Sequence, residues 1–186
     1  MKKRILAALL CLGCANFAAF TAASDPTPAP LEPIRSLDVL RYMGRWYDVA
    51  HYPNRFQARC VADSRAEYRL LPGGDVQVTN RCRLADGQTD AAEGLARQLG
   101  VADSARLQVR FAPAWLSFLS AVWGDYWVVD IADDYRWAVV SEPRREYLWV
   151  LSRTPQLDAA DTTRVHARLV ELGFDPARLV TLPTGE

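Results

Sequence analysis

The chain is poor in the residues that most often carry metal or nucleophile chemistry: its 186 residues include four cysteines and two histidines, His51 and His166. Neither histidine has metal-type spacing to a cysteine, so a zinc site fails on ligand count. Gly-x-Ser-x-Gly, His-Glu-x-x-His and a phosphate-cradling glycine loop are all absent, which removes the usual signatures of serine hydrolases, zinc proteases and P-loop NTPases. Carboxylate pairs such as Asp133-Asp134 read as turn residues rather than as an acid/base pair. No run of Lys or Arg follows residue 4, so the basic face that several phosphate contacts need is missing and no nucleic acid is expected as a partner. No internal repeat of about 20 to 50 residues occurs, which argues against a solenoid.

What is present is an ordinary globular composition for one domain: 50% hydrophobic, 10% aromatic and 24% charged. Residues 1–24 read as an export signal, with a basic start at Lys2-Lys3-Arg4, an apolar run from Ile5 to Phe20 and a small-residue exit at Ala22-Ala23-Ser24. The apolar run is shorter than the roughly 20 residues of a bilayer span and contains Asn16. Signal peptidase would cut after Ala23 or Ser24, and the rival is lipoprotein processing at Cys14, where Cys11 stands in the usual Leu position. Removing the leader takes three of the 22 basic residues and leaves a slightly acidic chain. Residues 25–33 hold four prolines and read as a tether. The domain itself is expected over 34–186, long enough to bury about 70% of its unfolded surface in one core.

Cleavage leaves Cys60 and Cys82, and two thiols sent to an oxidising compartment usually pair. A reactive thiol competes with the disulfide. Simple hairpin register sets Cys82 against residue 64 or 65, so a bridge to Cys60 demands a bulge.

Eight short segments of period two, rich in Val, Tyr, Trp and Leu, predict antiparallel strands at 46–52, 61–71, 76–83, 90–98, 105–111, 126–132, 136–141 and 147–152. In the second segment Ser64, Ala66, Tyr68 and Leu70 share one face. In the third Val76, Val78, Asn80 and Cys82 share one, and in the fifth Leu107, Val109 and Phe111 oppose Arg106, Gln108 and Arg110. Each sheet is expected to keep one wet side. Asp158 as N-cap, then Val165, Leu169 and Leu172, with Gly173 as the stop, predict one amphipathic helix over 158–172 packed outside the strands. Eight up-and-down strands can close into an all-β barrel, just wide enough to be filled by side chains or to hold one small ligand.

Three motifs in this order carry a family resemblance. Asp38-Val39-Leu40-Arg41-Tyr42-Met43-Gly44-Arg45-Trp46-Tyr47 resembles the first lipocalin motif, Asp133-Asp134-Tyr135 the second, and Leu148-Trp149-Val150-Leu151-Ser152-Arg153-Thr154-Pro155 the third. The chain thus resembles the lipocalins over about residues 34–182, and is similar to bacterial outer-membrane lipocalins, plant temperature-induced lipocalins and apolipoprotein D. The resemblance implies an eight-stranded barrel with a short helical turn before the first strand. It also implies a closed end where Arg153 lies across Trp46, with Gly44, Asp133 and Tyr135 as the other motif residues. A guanidinium over an indole face gains about 0.5 to 2 kcal/mol.

By the same resemblance the open end admits a hydrophobic ligand such as a fatty acid or lysophospholipid, in an exported carrier that is not an enzyme and needs no cofactor. Tyr68, Asn80 and Trp149 match its ligand-contacting positions. Tyr68 and Asn80 also fall on the inward faces deduced above, where sparse polar groups orient a ligand. Ala66, Val78, Val109 and Phe111 are the apolar candidates. Segment 112–125 carries Trp115, Leu116, Phe118, Leu119 and Trp123 in what should be a loop, and reads as a lid, a membrane-touching tip, a homodimer contact or core folded into the mouth. The expected place is the periplasm or outer membrane. Two alternatives stay open: an isomerase using Cys82, and a porphyrin carrier with His51, a residue otherwise expected to be solvated.

Overall fold

The computed structural model describes residues 29–184. The expected signal segment, with Cys11 and Cys14, lies outside the described residues. Eight antiparallel strands follow in chain order and close into a barrel: β1 Gly44–His51, β2 Cys60–Leu70, β3 Val76–Leu84, β4 Thr89–Gln98, β5 Arg106–Arg110, β6 Gly124–Ile131, β7 Trp137–Ser141 and β8 Leu148–Ser152. Each lies within about two residues of the segment that alternation predicts, because each has a face that must leave water. One helical turn, α1 Val39–Tyr42, precedes β1, and α2 Ala159–Glu171 follows β8. Closure comes from β1, which pairs Trp46 with Ala66 on β2 and Tyr47 with Ser152 on β8. Every strand has two neighbours, so no sheet edge is left open.

The β2–β3 hairpin runs in regular register from Leu70↔Val76 to Arg65↔Arg81, placing Ala66 opposite Asn80 and Tyr68 opposite Val78. Beyond Arg65 the register slips twice, to Ala62↔Arg83 and Cys60↔Leu84, and Asp63 takes a left-handed φ of 54°. This is the bulge that the cysteine spacing demands. It brings the Cα atoms of Cys60 and Cys82 to 5.6 Å, and the two are joined in a disulfide. Another slip, between Asp48 and Ala50 on β1, sets Asp48 beside Leu151 and His51 beside Trp149, so that Asp48 and His51 share a face.

Two apolar clusters form where one core is expected. The inner one contains Tyr42, Trp46, Tyr68, Val78, Leu107, Val140 and Leu151. The outer one holds Leu31, Tyr52, Trp137, Val139, Val150, Val165 and Leu169, under α2. Asp158 caps α2 by accepting from the Asp161 N–H, and the helix runs one residue shorter at each end than predicted. Burying Val165 and Leu169 contributes about 1.5–3 kcal/mol each, and the Arg136 guanidinium holds the Asp161 carboxyl below the usual carboxylate range while pinning the helix to the barrel.

Three expectations need correction. All five residues of β7 are buried, so that strand has no wet side: α2 and its flanks cover its outer face. Arg110, assigned to solvent by parity, is buried by the segment that follows it. The Pro-rich tether enters the described residues only at Ala29, and there the chain is docked, with Leu31 buried and the Ala29 carbonyl accepting from Arg145 at 2.6 Å.

Candidate functional site

The closed end is built from all three motifs. Arg153 stacks its guanidinium 3.8 Å from the centre of the Trp46 ring, while its Nη1 donates to the Arg45 carbonyl at 2.8 Å and its Nη2 to the Arg41 carbonyl at 2.7 Å. Trp46 is fully buried, with its indole N–H given to the Tyr42 carbonyl. Gly44 has a φ of +92°, a left-handed turn that favours glycine, and a Cβ there would merely touch Arg153 at 3.5 Å. Tyr135 accepts from the Asp38 N–H through its hydroxyl and lies under Arg41, which also donates to the Asp133 carbonyl. Asp133 therefore acts through its backbone.

Above this cap is a cavity of about 800 Å³. Tyr68, Asn80, Trp149, Ala66, Val78, Val109 and Phe111 all line it. Asn80 lies toward the water-exposed part, whereas Tyr68 sits deep. Three tyrosine hydroxyls make the polar group near the floor: Tyr126 is bonded to Tyr42 at 2.8 Å and to Tyr68 at 2.9 Å. Burial raises all three phenols, that of Tyr68 to about 12, so they remain protonated across the physiological range. Two bonds among three hydroxyls use two of the three O–H protons and leave one to donate elsewhere, to a guest among others. Val76, Ala96, Leu107 and Leu151 complete the apolar walls. Phe111 lies against Gly94, where a Cβ would meet the ring and the Arg110 carbonyl at 2.8 Å.

Near the mouth sits a polar group that sequence reasoning missed. Asp48 is 4% exposed and accepts from Ser64 at 3.1 Å, from Gln57, and from His51 at 3.2 Å. Gln57 comes from the β1–β2 loop, and its carbonyl takes the Trp149 indole N–H at 2.8 Å. Tyr147 stacks on Trp149 with centroids 5.8 Å apart and planes at 7°. Asp48 lies two residues past Trp46 and so shared its inward parity, a signal that was there to be read. His51 is buried against Asp48 rather than solvated, and it is not among the cavity's lining residues, which removes the axial ligand of the porphyrin alternative. Cys82 is in the disulfide, so the isomerase alternative loses its thiol. Among the described residues no group of His, Cys, Asp and Glu is arranged to hold a metal.

The aromatic segment ends at Trp123, since Gly124 and Asp125 belong to β6. Two 3₁₀ turns, Ala114–Leu116 and Ser120–Val122, shape it. Trp123 packs beside Arg97 and Arg110, at 3.9 and 5.3 Å, and bonds to the Ser117 carbonyl. Trp115 and Phe118 are 72% and 77% exposed, Leu119 is exposed and Leu116 half-buried, whereas Ala112, Ala121, Val122 and Trp123 line the cavity, so the ends of the segment border the mouth while its tip stays outside the core. A smaller cleft of about 490 Å³ lies outside the barrel, between β1, β8, α2 and the C-terminal residues.

A closed eight-stranded barrel with a sealed floor, apolar walls and a few convergent polar groups defines a container for small molecules. The chain belongs to the lipocalin family, whose members bind small hydrophobic ligands: the lipocalin-like domain matches residues 37–184. It is 39% identical to temperature-induced lipocalin-1 of Arabidopsis thaliana over 158 residues, 84% of each chain. It is 34% identical to the outer membrane lipoprotein Blc of Escherichia coli over 176 residues, 92% of this chain and 95% of that one. Insecticyanin of the tobacco hornworm Manduca sexta shares the fold, with a TM-score of 0.65 at 17% identity over 86% of this chain and 92% of that one.

Proposed function

We propose that the protein is an exported, non-enzymatic carrier that holds one single-chain amphiphile, a fatty acid or a lysophospholipid, and serves in storage or repair of envelope lipids. The observation that carries this reading is the cavity: its volume of about 800 Å³ falls in the range of about 300–1,000 Å³ that small-molecule sites occupy. Apolar walls suit an acyl chain, and Tyr68 and Asn80 are the polar contacts, with Trp149, Ala66, Val78, Val109 and Phe111 against the chain. The likeness to a lipoprotein of the bacterial outer membrane supports an envelope location, and no described helix is long and apolar enough to cross a membrane. Trp115 and Phe118 at the mouth suit the interfacial zone of a bilayer, from which cargo enters.

Native mass spectrometry of the protein purified from its own envelope, with identification of co-purifying small molecules, tests the reading. About one acyl lipid per barrel is expected, lost in Tyr68→Ala and Asn80→Leu; a barrel that carries and takes up no amphiphile refutes it. The same spectrum reads a dimer directly. An intact mass beginning at residue 24 or 25 excludes an acyl anchor at Cys14. Vesicle co-sedimentation that is unchanged in Trp115→Ser/Phe118→Ser overturns the membrane contact.

A further inference from the structure

One of the charges lining the cavity points to a specific head group: Arg55, Arg144 and Asp125 are exposed, Arg65 is half-buried and Glu142 is paired with Arg144, whereas Asp48 is buried and paired with no arginine. Asp48 is a buried carboxylate among the lining residues, and no Arg or Lys nitrogen stands within ion-pair distance of it among the described residues. Its partners are the Ser64 hydroxyl, the His51 ring and the Gln57 amide. A carboxylate held this way in an apolar enclosure repels a second carboxylate and attracts a cation.

Gln57 is the informative partner. Its amide nitrogen is aimed at both Asp48 and Ser64, and its carbonyl is held by Trp149 and Asn54. It thus sets an N–H-bearing group against the carboxylate from a loop rather than from a strand, and a side chain on a loop can withdraw. The stacked Tyr147 and Trp149, with Phe56 at 5.5 Å from Tyr147, form an aromatic wall next to this point. Aromatic faces attract organic cations, and an ammonium beside both a carboxylate and such faces is held by charge and by the ring quadrupoles together. Val78, Leu107 and Val109 line the same cavity and would take an acyl or alkyl chain.

We propose that Asp48, together with Ser64 and the Tyr147–Trp149 wall, is a recognition site for the organic ammonium group of an amphiphile, with the Gln57 carboxamide occupying that site in this structure. The proposal rests on the cavity being a ligand site, as argued above, and adds its head-group preference: ammonium-bearing amphiphiles over free fatty acids.

The test is displacement of the neutral probe N-phenyl-1-naphthylamine from the mature, disulfide-bonded protein near neutral pH. Four competitors share chain length and differ in head: tetradecylamine, myristoyl lysophosphatidylcholine, tetradecanol and myristate. An ammonium head should compete at least about tenfold more strongly than the alcohol or the acid. Asp48→Asn should abolish that advantage while leaving tetradecanol unchanged, and Gln57→Ala should strengthen ammonium binding by withdrawing the occupant. Preference for the free amine alone assigns the site to lipophilic amines; preference that includes the lysolipid assigns it to phospholipid head groups. Equal competition by all four heads in the wild type, or an ammonium preference that persists in Asp48→Asn, overturns the proposal and leaves the carrier reading standing. Failure of every competitor overturns both. Should Asp48→Asn not fold, judged by its circular dichroism, the wild-type ranking and Gln57→Ala decide.

Discussion

Tyr126→Phe removes one oxygen, and the structure says it is the one the interior depends on most. Its hydroxyl stands in the middle of a chain, 2.8 Å from that of Tyr42 and 2.9 Å from that of Tyr68. Deleting it breaks two hydrogen bonds and leaves two hydroxyls unpaired inside the barrel, at about 1–3 kcal/mol for each unsatisfied group. Water reaching the cavity recovers part of this, so about 2–4 kcal/mol is expected. Tyr68→Phe removes a chain end and breaks one bond, costing about 1 kcal/mol. For a domain of this size about 2–4 °C of melting temperature accompanies each kcal/mol. Thermal and urea unfolding of the oxidised mature protein therefore order the variants as wild type, then Tyr68→Phe, then Tyr126→Phe. In the double variant the second substitution should be nearly neutral, because the Tyr68 hydroxyl has already lost its partner. Equal costs for the two single variants, or strict additivity in the double, would refute the chain.

The same phenols predict an alkaline limit. A folded-state pKa raised above the unfolded value means that the folded protein keeps protons which the unfolded chain releases, so this stabilisation is complete below about pH 10 and is lost as pH rises beyond it. Tyr68, at about 12 when folded, accounts for about 3 kcal/mol of that loss; urea midpoints that stay level through the Tyr titration range would contradict the burial argument. Cys60→Ser/Cys82→Ser opens a loop spanning 22 residues and should lower stability by about 3 kcal/mol, read from urea unfolding beside reduced wild type; an unchanged midpoint would show the bridge to be idle. Arg153→Lys keeps the charge but cannot stack on Trp46 while reaching both the Arg41 and Arg45 carbonyls. A loss of about 2 kcal/mol, with a changed near-ultraviolet circular dichroism, is expected, and wild-type stability in that variant would remove the cap from the account.

The two ends of the barrel divide the work. At the closed end Trp46, Arg153 and Tyr135 are locked by short contacts between distant segments, which suits a floor that must exclude water. At the open end the contacts come from loops, where Gln57 spans Asp48, Ser64, Asn54 and Trp149, and where Trp115 and Phe118 face outward.

Alternation alone determined the eight strands, the faces of Tyr68, Val78 and Asn80, and the capped helix after β8, because these depend on neighbours two or four residues away along one element. Motif order determined the family. Tertiary structure decided whatever depends on broken parity or on distant chain. The slip between Asp48 and Ala50 sets Asp48 and His51 on one face, and the left-handed Asp63 shifts Cys60 back to Cys82. Period-two reading assumes an unbroken pleat and cannot see a bulge. The outer face of β7 is buried by a helix that arrives later in the chain, and Arg110 by the segment after it. Tyr42, Tyr68 and Tyr126 meet only because the barrel closes. Local pattern reports which face of a strand leaves water; only closure brings together the groups on those faces, and the cavity's chemistry is made by that meeting.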